Sequence, residues 1–233
     1  MTRVKVCGIM NQKDAKVCIE AGADAVGLIV EYPLSVPWNI KRREARQLIT
    51  GLPPFVSTCV VTGGPADHIL AVAREVHPDI IQLHFQETWA EVKAVTQQLR
   101  RYGIKSIKAL SIDREGQCAF EVVDPVKAAQ ALAETGIAGL VVDSYRHSSG
   151  GGTGVTVDGS IFRTIQQSVN IPVILAGGLT PDNVGSLIKK HRPYAVDVLT
   201  GVEVKPGLKD PERLIRFIQI IKGFDLQQRA VSG

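Results

Sequence analysis

Short runs of apolar, mostly β-branched residues recur eight times along the chain, separated by stretches in which the apolar positions follow helical spacing. Each run is about 5–7 residues long, which is typical of strands buried in a parallel sheet. The predicted strands are Val4–Ile9, Ala25–Val30, Phe55–Val61, Ile80–His84, Ile104–Leu110, Gly139–Asp143, Pro172–Gly178 and Ala195–Gly201. The predicted helices are Asn11–Ala21, Arg42–Ile49, Ala66–Val76, Trp89–Tyr102, Asp124–Glu134, Gly159–Val169, Pro181–His191 and Pro211–Lys222.

Eight β-then-α units in one chain predict an α/β fold, a single (β/α)8 barrel of the TIM-barrel type. A doubly wound open sheet is the alternative, but it usually carries a glycine fingerprint after its first strand, and the chain around Gly8 lacks a Gly-x-Gly-x-x-Gly pattern. We predict a barrel over residues 1–222 and a polar, loosely held tail over residues 223–233. The active site of such a barrel is built by the loops that follow the strands.

Three of the predicted helices begin with a residue that can cap them. Asn11, Thr180 and Asp210 each carry a side-chain oxygen that can accept hydrogen bonds from first-turn N–H groups. Proline follows two of them, at Pro181 and Pro211, where its missing N–H is not needed. These residues predict where the three helices start.

The composition narrows the possible ligands. Hydrophobic residues make up 45% of the 233 residues and charged residues 21%, which supports a large aliphatic core and excludes a disordered chain. The net charge of +4 is small and scattered. It suits an anionic metabolite and is too weak to indicate a nucleic acid partner.

The N-terminus and the cysteines indicate the cellular compartment of the protein. No apolar run reaches the length that crosses a bilayer, and Met1 leads directly into the first strand, so we expect neither a signal peptide nor a membrane partner. The four cysteines show neither a Cys-x-x-Cys pattern nor metal-ligand spacing with histidine. We expect a reduced, cytoplasmic protein without a bound metal or cofactor.

The first strand ends in a candidate base. Side chains alternate along a strand, so Lys5 and Cys7 share one face, which in a barrel looks into the interior. An ammonium group close to a thiol favours the thiolate, which would make Cys7 a base or nucleophile. The alternative is a small buried apolar residue, and this is how we interpret Cys18, Cys59 and Cys118.

The sixth strand ends in a candidate acid. Asp143 follows an apolar run directly, and a desolvated carboxyl there can have a pKa high enough for a general acid. The alternative is a carboxylate that caps the next loop. That loop is rich in glycine, and Gly152 and Gly154 would let backbone N–H groups approach a ligand, unless the segment is a flexible lid.

Glycines at the ends of strands 7 and 8 predict a phosphate site. Gly177 and Gly178 follow strand 7, and Thr200 and Gly201 follow strand 8. In many barrels the loops at these two positions bind phosphate through main-chain N–H groups. The partner predicted from this pair is a phosphorylated small molecule.

Three polar residues interrupt apolar strands. Gln82 and His84 share a face of strand 4, and Asp197 lies within strand 8. Buried polar side chains need partners, so these residues either form hydrogen bonds within the core or contact the ligand. His84, at the carboxyl end of its strand, is the better candidate for a ligand contact.

Several segments of this chain, taken together, resemble phosphoribosylanthranilate isomerase. They occur in the family's order from residue 4 to about residue 222 and are Lys5–Ile9, Asp14-Ala15, Ala21–Gly27, Gln82–His84, Val142-Asp143, Gly151–Gly154, Asp158, Leu175–Leu179, Asn183-Val184, Ala195–Val198, Gly201–Glu203, Pro206-Gly207 and Lys209-Asp210. The resemblance implies an Amadori rearrangement of an N-linked phosphoribosyl amine. It implies that Asp143 protonates the furanose ring oxygen, that Cys7 removes the C2′ proton, and that Gly177, Gly178 and Gly201 hold the phosphate, without a cofactor or metal.

The segment after strand 2 departs from the family pattern. The family usually has a Lys-Ser-Pro-Arg-type segment there, whose arginine holds the anthranilate carboxylate. Here the stretch Pro33–Ile40 has Leu34 in place of the lysine and Trp38 nearest to the arginine. An indole cannot make a bidentate contact with a carboxylate.

Three functions remain open at this point. The first is an isomerase of phosphoribosylanthranilate in tryptophan biosynthesis, and the second is a paralogous aldose–ketose isomerase of another phosphorylated amino-sugar. The third is a non-catalytic barrel that binds a phosphorylated ligand, against which the presence of both Cys7 and Asp143 counts. The family favours the first and the missing arginine favours the second. We expect a monomer or a homodimer.

Overall fold

The computed structural model describes residues 1–144 and 158–232, with side chains described as far as residue 227. Eight parallel strands form a closed barrel, in which each strand pairs with the next and β1 pairs with both β2 and β8. The strands are β1 Arg3–Val6, β2 Ala25–Val30, β3 Ser57–Thr62, β4 Ile80–Leu83, β5 Lys105–Ile112, β6 Gly139–Ser144, β7 Val173–Leu175 and β8 Ala195–Val198. The predicted (β/α)8 barrel is confirmed.

A helix follows each strand and covers the outside of the barrel. The helices are α1 Gln12–Glu20, α2 Arg42–Thr50, α3 Ala66–Val76, α4 Trp89–Arg101, α5 Pro125–Glu134, α6 Gly159–Ser168, α7 Val184–His191 and α8 Pro211–Ser232. Asn11 and Asp210 cap α1 and α8 as predicted, because their side chains accept first-turn N–H groups. Among the described residues, no helix is both long and apolar enough to cross a bilayer.

Helix α7 begins later than predicted. Residues 181–183 form a turn, and Asn183 rather than Thr180 organises the start of the helix. The Asn183 side chain accepts from the Thr180 N–H at 2.8 Å and donates to the Gly178 carbonyl at 2.8 Å. Asn183 therefore ties the loop after β7 to the first turn of α7.

The C-terminal segment differs from the expected loose tail. Residues 223–232 continue α8, the Phe224 side chain packs against the core, and the buried Asp225 carboxylate accepts from the Thr2 N–H at 2.7 Å. The long helix is possible because apolar side chains continue past Lys222. The division into a barrel and a separate tail stays a prediction.

Two small elements lie beyond the carboxyl ends of the strands. Asn39–Ile40 extends the sheet beside the end of β2, pairing with Ile29 and Val30. A short 3-10 turn, Thr200–Val202, follows β8 and leads into an antiparallel hairpin formed by residues 203–205 and 208–209. Both elements position side chains around the mouth of the barrel.

The barrel interior is not entirely apolar. The core between strands and helices is aliphatic, whereas polar side chains from β1, β4 and β8 meet inside the barrel. Lys5 on β1 reaches Gln82 on β4, two strands that are not neighbours, so the contact crosses the interior. These buried polar groups form the floor of the site described next.

Candidate active site

A pocket of about 390 Å³ opens at the carboxyl ends of the strands, large enough for a small metabolite. Nine of the eleven residues predicted for the site line it: Cys7, Gln82, His84, Asp143, Gly177, Gly178, Asp197, Thr200 and Gly201. The other two, Gly152 and Gly154, lie outside the described residues. The barrel therefore brings together the described candidates from β1, β4, β6, β7 and β8.

Asp143 lies at the end of β6 and has the properties of a general acid. Burial raises its pKa to about 7, the negative charge of Asp197 adds to this, and the Ser144 N–H and Lys5 oppose it only in part. Its Oδ2 lies 3.8 Å from His84 Nε2. A carboxyl group with such a pKa can carry a proton near neutral pH.

Cys7 follows β1 and is 5% exposed. Burial raises the pKa of its thiol; Lys5 lowers it, but Asp197 raises it further. The expected preference for thiolate is therefore not met in this pocket. The main physical reason is burial of the thiol, and the Lys5 ammonium that opposes it is shared with Asp197, at 2.5 Å from Oδ2.

The floor of the pocket is a chain of buried hydrogen bonds. Besides Asp197, Lys5 Nζ donates to Gln82 Oε1 at 2.9 Å, and Gln82 Nε2 lies 3.0 Å from His84 Nδ1. The second Asp197 oxygen, Oδ1, is buried and has no hydrogen-bond partner in the described part of the chain. Gln82, His84 and Asp197 thus form hydrogen bonds with one another or with Lys5, and all three also line the pocket.

Two glycines provide the space that the acid and the base occupy. A Cβ at Gly27 on β2 would lie 2.8 Å from the Cys7 sulfur and 3.0 Å from Lys5 Cε. A Cβ at Gly177, whose φ is +84°, would lie 2.7 Å from Asp143 Oδ1. Sequence reasoning missed the role of Gly27, although a glycine inside a strand indicates the close approach of another group.

The loops after β7 and β8 are in close contact at the mouth of the barrel. Gly178 has a φ of +60°, and a Cβ at Gly201 would overlap the Leu179 carbonyl oxygen, so the two loops meet only because glycine is present. The N–H groups of Gly178 and Gly201 have no backbone acceptor within the described segments. Such uncommitted N–H groups at the end of strands 7 and 8 can hold a phosphate.

One wall of the pocket is apolar and includes Leu34, Val36, Trp38 and Phe85. Trp38 is 5% exposed. Its Nε1 donates to Glu203 Oε1 at 3.0 Å and lies 3.2 Å from Oε2. The indole N–H is therefore already used within the protein.

A buried ion pair supports this wall from behind. Lys209 Nζ lies 2.8 Å from Glu203 Oε1, and the Gly207 N–H also donates to that carboxylate. Neither lysine nor arginine lines the pocket in the described parts of the chain, 1–144 and 158–232. No group of three or more histidine, cysteine or acidic side chains could hold a metal ion among those residues.

The fold and the site define a (β/α)8-barrel enzyme with a carboxyl group and a thiol in one pocket, beside two loops that meet through glycine. The family model for N-(5′-phosphoribosyl)anthranilate isomerase matches residues 4–220. The chain belongs to this family and is therefore an aldose–ketose isomerase.

Similar proteins and solved structures support the same family assignment. The N-(5′-phosphoribosyl)anthranilate isomerase of Haloferax volcanii is 39% identical, over 95% of this chain and 94% of its own. The crystal structure of the Thermotoga maritima enzyme has a TM-score of 0.80 and 34% identity, covering 96% of this chain and 100% of its own. A phosphoribosylanthranilate isomerase in complex with reduced 1-(o-carboxyphenylamino)-1-deoxyribulose 5-phosphate has a TM-score of 0.77 and 33% identity, with the same coverage.

Proposed function

We propose that the protein converts N-(5-phosphoribosyl)anthranilate into 1-(2-carboxyphenylamino)-1-deoxyribulose 5-phosphate in tryptophan biosynthesis, with Asp143 as acid and Cys7 as base. The observation that carries this assignment is the presence in one pocket of Cys7 and of Asp143, whose pKa is raised to about 7. The reaction moves protons within one molecule, so it needs an acid and a base and no external oxidant or reductant.

The steps follow from these two groups. Asp143 gives its proton to the furanose ring oxygen as the bond from C1′ to that oxygen breaks, which leaves a protonated Schiff base between C1′ and the amine nitrogen. The Cys7 thiolate then removes the C2′ proton, and the electron pair of that C–H bond forms an enolamine. Transfer of the enol proton to C1′ completes the 2-ketone.

The pKa values set the population of the reactive state. That state needs a thiolate at Cys7 and a carboxylic acid at Asp143, yet the pKa of Cys7 is raised while that of Asp143 is about 7. Because the base has the higher pKa, the reactive combination is a minor species at every pH. Its population is constant between the two pKa values, so kcat/KM rises up to about pH 7 and then reaches a plateau.

The phosphate would bind at Gly177, Gly178, Thr200 and Gly201. The uncommitted N–H groups of Gly178 and Gly201 support this, as does the close contact between the two loops. Asn183 stabilises the surface by binding the Gly178 carbonyl. The described lining supplies no lysine or arginine, so backbone dipoles would carry most of the phosphate binding.

The amine-linked ring would lie against the apolar wall. Trp38 and Phe85 offer aromatic surface for an aromatic amine. The anthranilate carboxylate has no cation to meet it among the described lining residues, since the Trp38 N–H is bound to Glu203. This observation keeps a second candidate open, a paralogous isomerase whose amine carries no carboxylate.

Complementation tests the assignment directly. Expression in a tryptophan auxotroph that lacks this isomerase should restore growth without tryptophan, and the Asp143→Asn variant should not. Purified protein that neither complements nor converts phosphoribosylanthranilate would contradict the anthranilate assignment. Turnover of another phosphoribosyl amine by that same protein would establish the second candidate.

The proposal also covers where in the cell the protein acts and its oligomeric state. A reduced, cytoplasmic enzyme fits four cysteines that are all free and buried. Monomer and homodimer both remain proposals; a solved structure of the Thermotoga maritima relative describes that protein as dimeric. Sedimentation equilibrium of the full chain distinguishes the two states.

A further inference from the structure

The floor of the pocket contains a chain of hydrogen bonds whose directions can be worked out. Lys5 Nζ lies 2.9 Å from the side-chain amide of Gln82. An ammonium group can only donate, so the amide atom that faces it must be the oxygen. Lys5 is 6% exposed and is also bound to Asp197, so it does not turn away from this contact.

The orientation of Gln82 then determines the state of His84. With its oxygen facing Lys5, the amide presents its NH2 group to His84 Nδ1 at 3.0 Å. An NH2 group donates and does not accept, so Nδ1 must be the proton-free nitrogen of the ring. The single ring proton of a neutral His84 lies on Nε2, which is 3.8 Å from Asp143 Oδ2.

We propose that Lys5 and Gln82 are positioning residues that hold His84 as the neutral Nε2–H tautomer, so that Asp143 faces an N–H group and not a cation. His84 is surrounded by charged and titratable groups from most of the barrel. Lys5 on β1, Lys108 on β5, Asp143 on β6 and Tyr32 after β2 act on or contact His84 itself. Cys59 on β3 and Asp197 on β8 contact its neighbours Gln82 and Lys5. Burial, followed by the charges of Lys108 and Lys5, lowers the pKa of His84 to about 3, which agrees with a neutral ring.

The consequence concerns the acid, so this inference rests on the proposed role of Asp143. An imidazolium at 3.8 Å would favour the carboxylate and take the proton that Asp143 needs. Because Nδ1 carries no proton and accepts a hydrogen bond from Gln82, the His84 ring resists taking up a second proton, and the proton stays on Asp143. Lys5 and Gln82 would thereby preserve the acid by acting through His84.

The test compares the wild type with Gln82→Glu and Gln82→Met by two-bond 15N–1H NMR of the histidine rings, without substrate. The His84→Gln variant identifies the signal, because four of the five histidines remain in it. We expect a proton-free Nδ1 in the wild type. In Gln82→Glu the carboxylate faces Nδ1 and should protonate it, whereas Gln82→Met removes the donor and should give mixed tautomers.

Kinetics provide the second readout. In Gln82→Glu, His84 would become an imidazolium close to Asp143. A cation within about 4–6 Å lowers a carboxyl pKa by about 1–3 units. Because fewer molecules would then hold a proton on Asp143, the plateau of kcat/KM should fall by about tenfold or more. Gln82→Met, which adds no charge at Nδ1, should lose less. A proton on Nδ1 in the wild type, or an unchanged tautomer in both variants, overturns the proposal. The NMR result stands apart from turnover, so failure of the Asp143 assignment would be recognised separately.

Discussion

The two sides of the pocket are built in different ways. The proposed acid, the proposed base and the proposed phosphate loops come from strand ends and glycines, whose positions are set by pairing around the barrel. The apolar wall comes from the loop after β2 and from Phe85. From this comparison we expect proton transfer to depend mainly on the strand ends, and the choice of amine mainly on the loop after β2.

The largest effect should follow removal of the strand-built acid or base. Asp143→Asn keeps the shape but cannot supply the proton, and Cys7→Ala removes the base. General acid–base groups contribute about 10²–10⁴-fold, so we expect a loss of that size in kcat for each variant. Steady-state assays with purified protein check this, with circular dichroism to confirm folding. A loss below about tenfold would remove that residue from its role.

The next effect concerns the space that Gly27 leaves. A Cβ there would lie 2.8 Å from the Cys7 sulfur, so Gly27→Ala should displace the thiol. A misplacement of about 1 Å can cost about 10²-fold in rate, and we expect kcat to fall to that extent. Gly223→Ala in α8 is the matched control, since a Cβ there meets nothing within 4 Å. Equal activity of the two variants would show that Gly27 does not position Cys7.

A substitution in the apolar wall should lower the free energy of unfolding. Trp38→Phe removes the donor to Glu203, which is 5% exposed and forms an ion pair with Lys209. Losing a hydrogen bond to a buried charged group should lower the free energy of unfolding by about 1.5–3 kcal/mol. Trp89→Phe is the control: it loses one neutral bond, 2.9 Å long, to the Ala131 carbonyl, worth about 0.5–1.5 kcal/mol. Urea denaturation distinguishes the two, and equal losses would contradict the assigned role of Glu203.

The smallest effect should be on kcat/KM when the carboxylate of the substrate is replaced by a neutral group. Phosphoribosyl amines made from ribose 5-phosphate with anthranilate or with 2-aminobenzamide differ mainly in that charge. Because the described lining has no cation on this side, we expect kcat/KM values within about threefold, against the roughly ten- to hundredfold that a charged hydrogen bond provides.

A strong preference for anthranilate would show that a cation from outside the described residues meets the carboxylate. Arg146 is the variant to test in that case, because it lies in the segment 145–157. If Arg146→Ala abolished such a preference, the comparison between the two sides would need to include that segment.

The strand-built side could be predicted because parallel strands bring their carboxyl ends to one face. Cys7, Asp143 and the paired glycines needed only the strand positions to be located. The protonation of Cys7 could not be predicted, since it depends first on how deeply the fold buries the thiol and then on how Lys5 divides its charge between the thiol and Asp197.

The loop-built side could be located but not explained. The sequence shows Trp38 where an arginine is usual, but its partner Glu203 is 165 residues away. The support from Lys209 is likewise a product of folding, because the hairpin after β8 brings the two residues together. Such contacts between distant loops have no periodic pattern in the chain.

The central claim is that Asp143 carries a proton near neutral pH in the free enzyme. The direct measurement is a pH titration of carboxyl 13C-labelled aspartate by NMR, with Asp143→Asn identifying the signal. The account predicts an apparent pKa of about 7, since burial and Asp197 both disfavour the charged form. A value near the ordinary aspartate pKa of about 3.9 would contradict it, because the acid would then be ionised before the substrate binds.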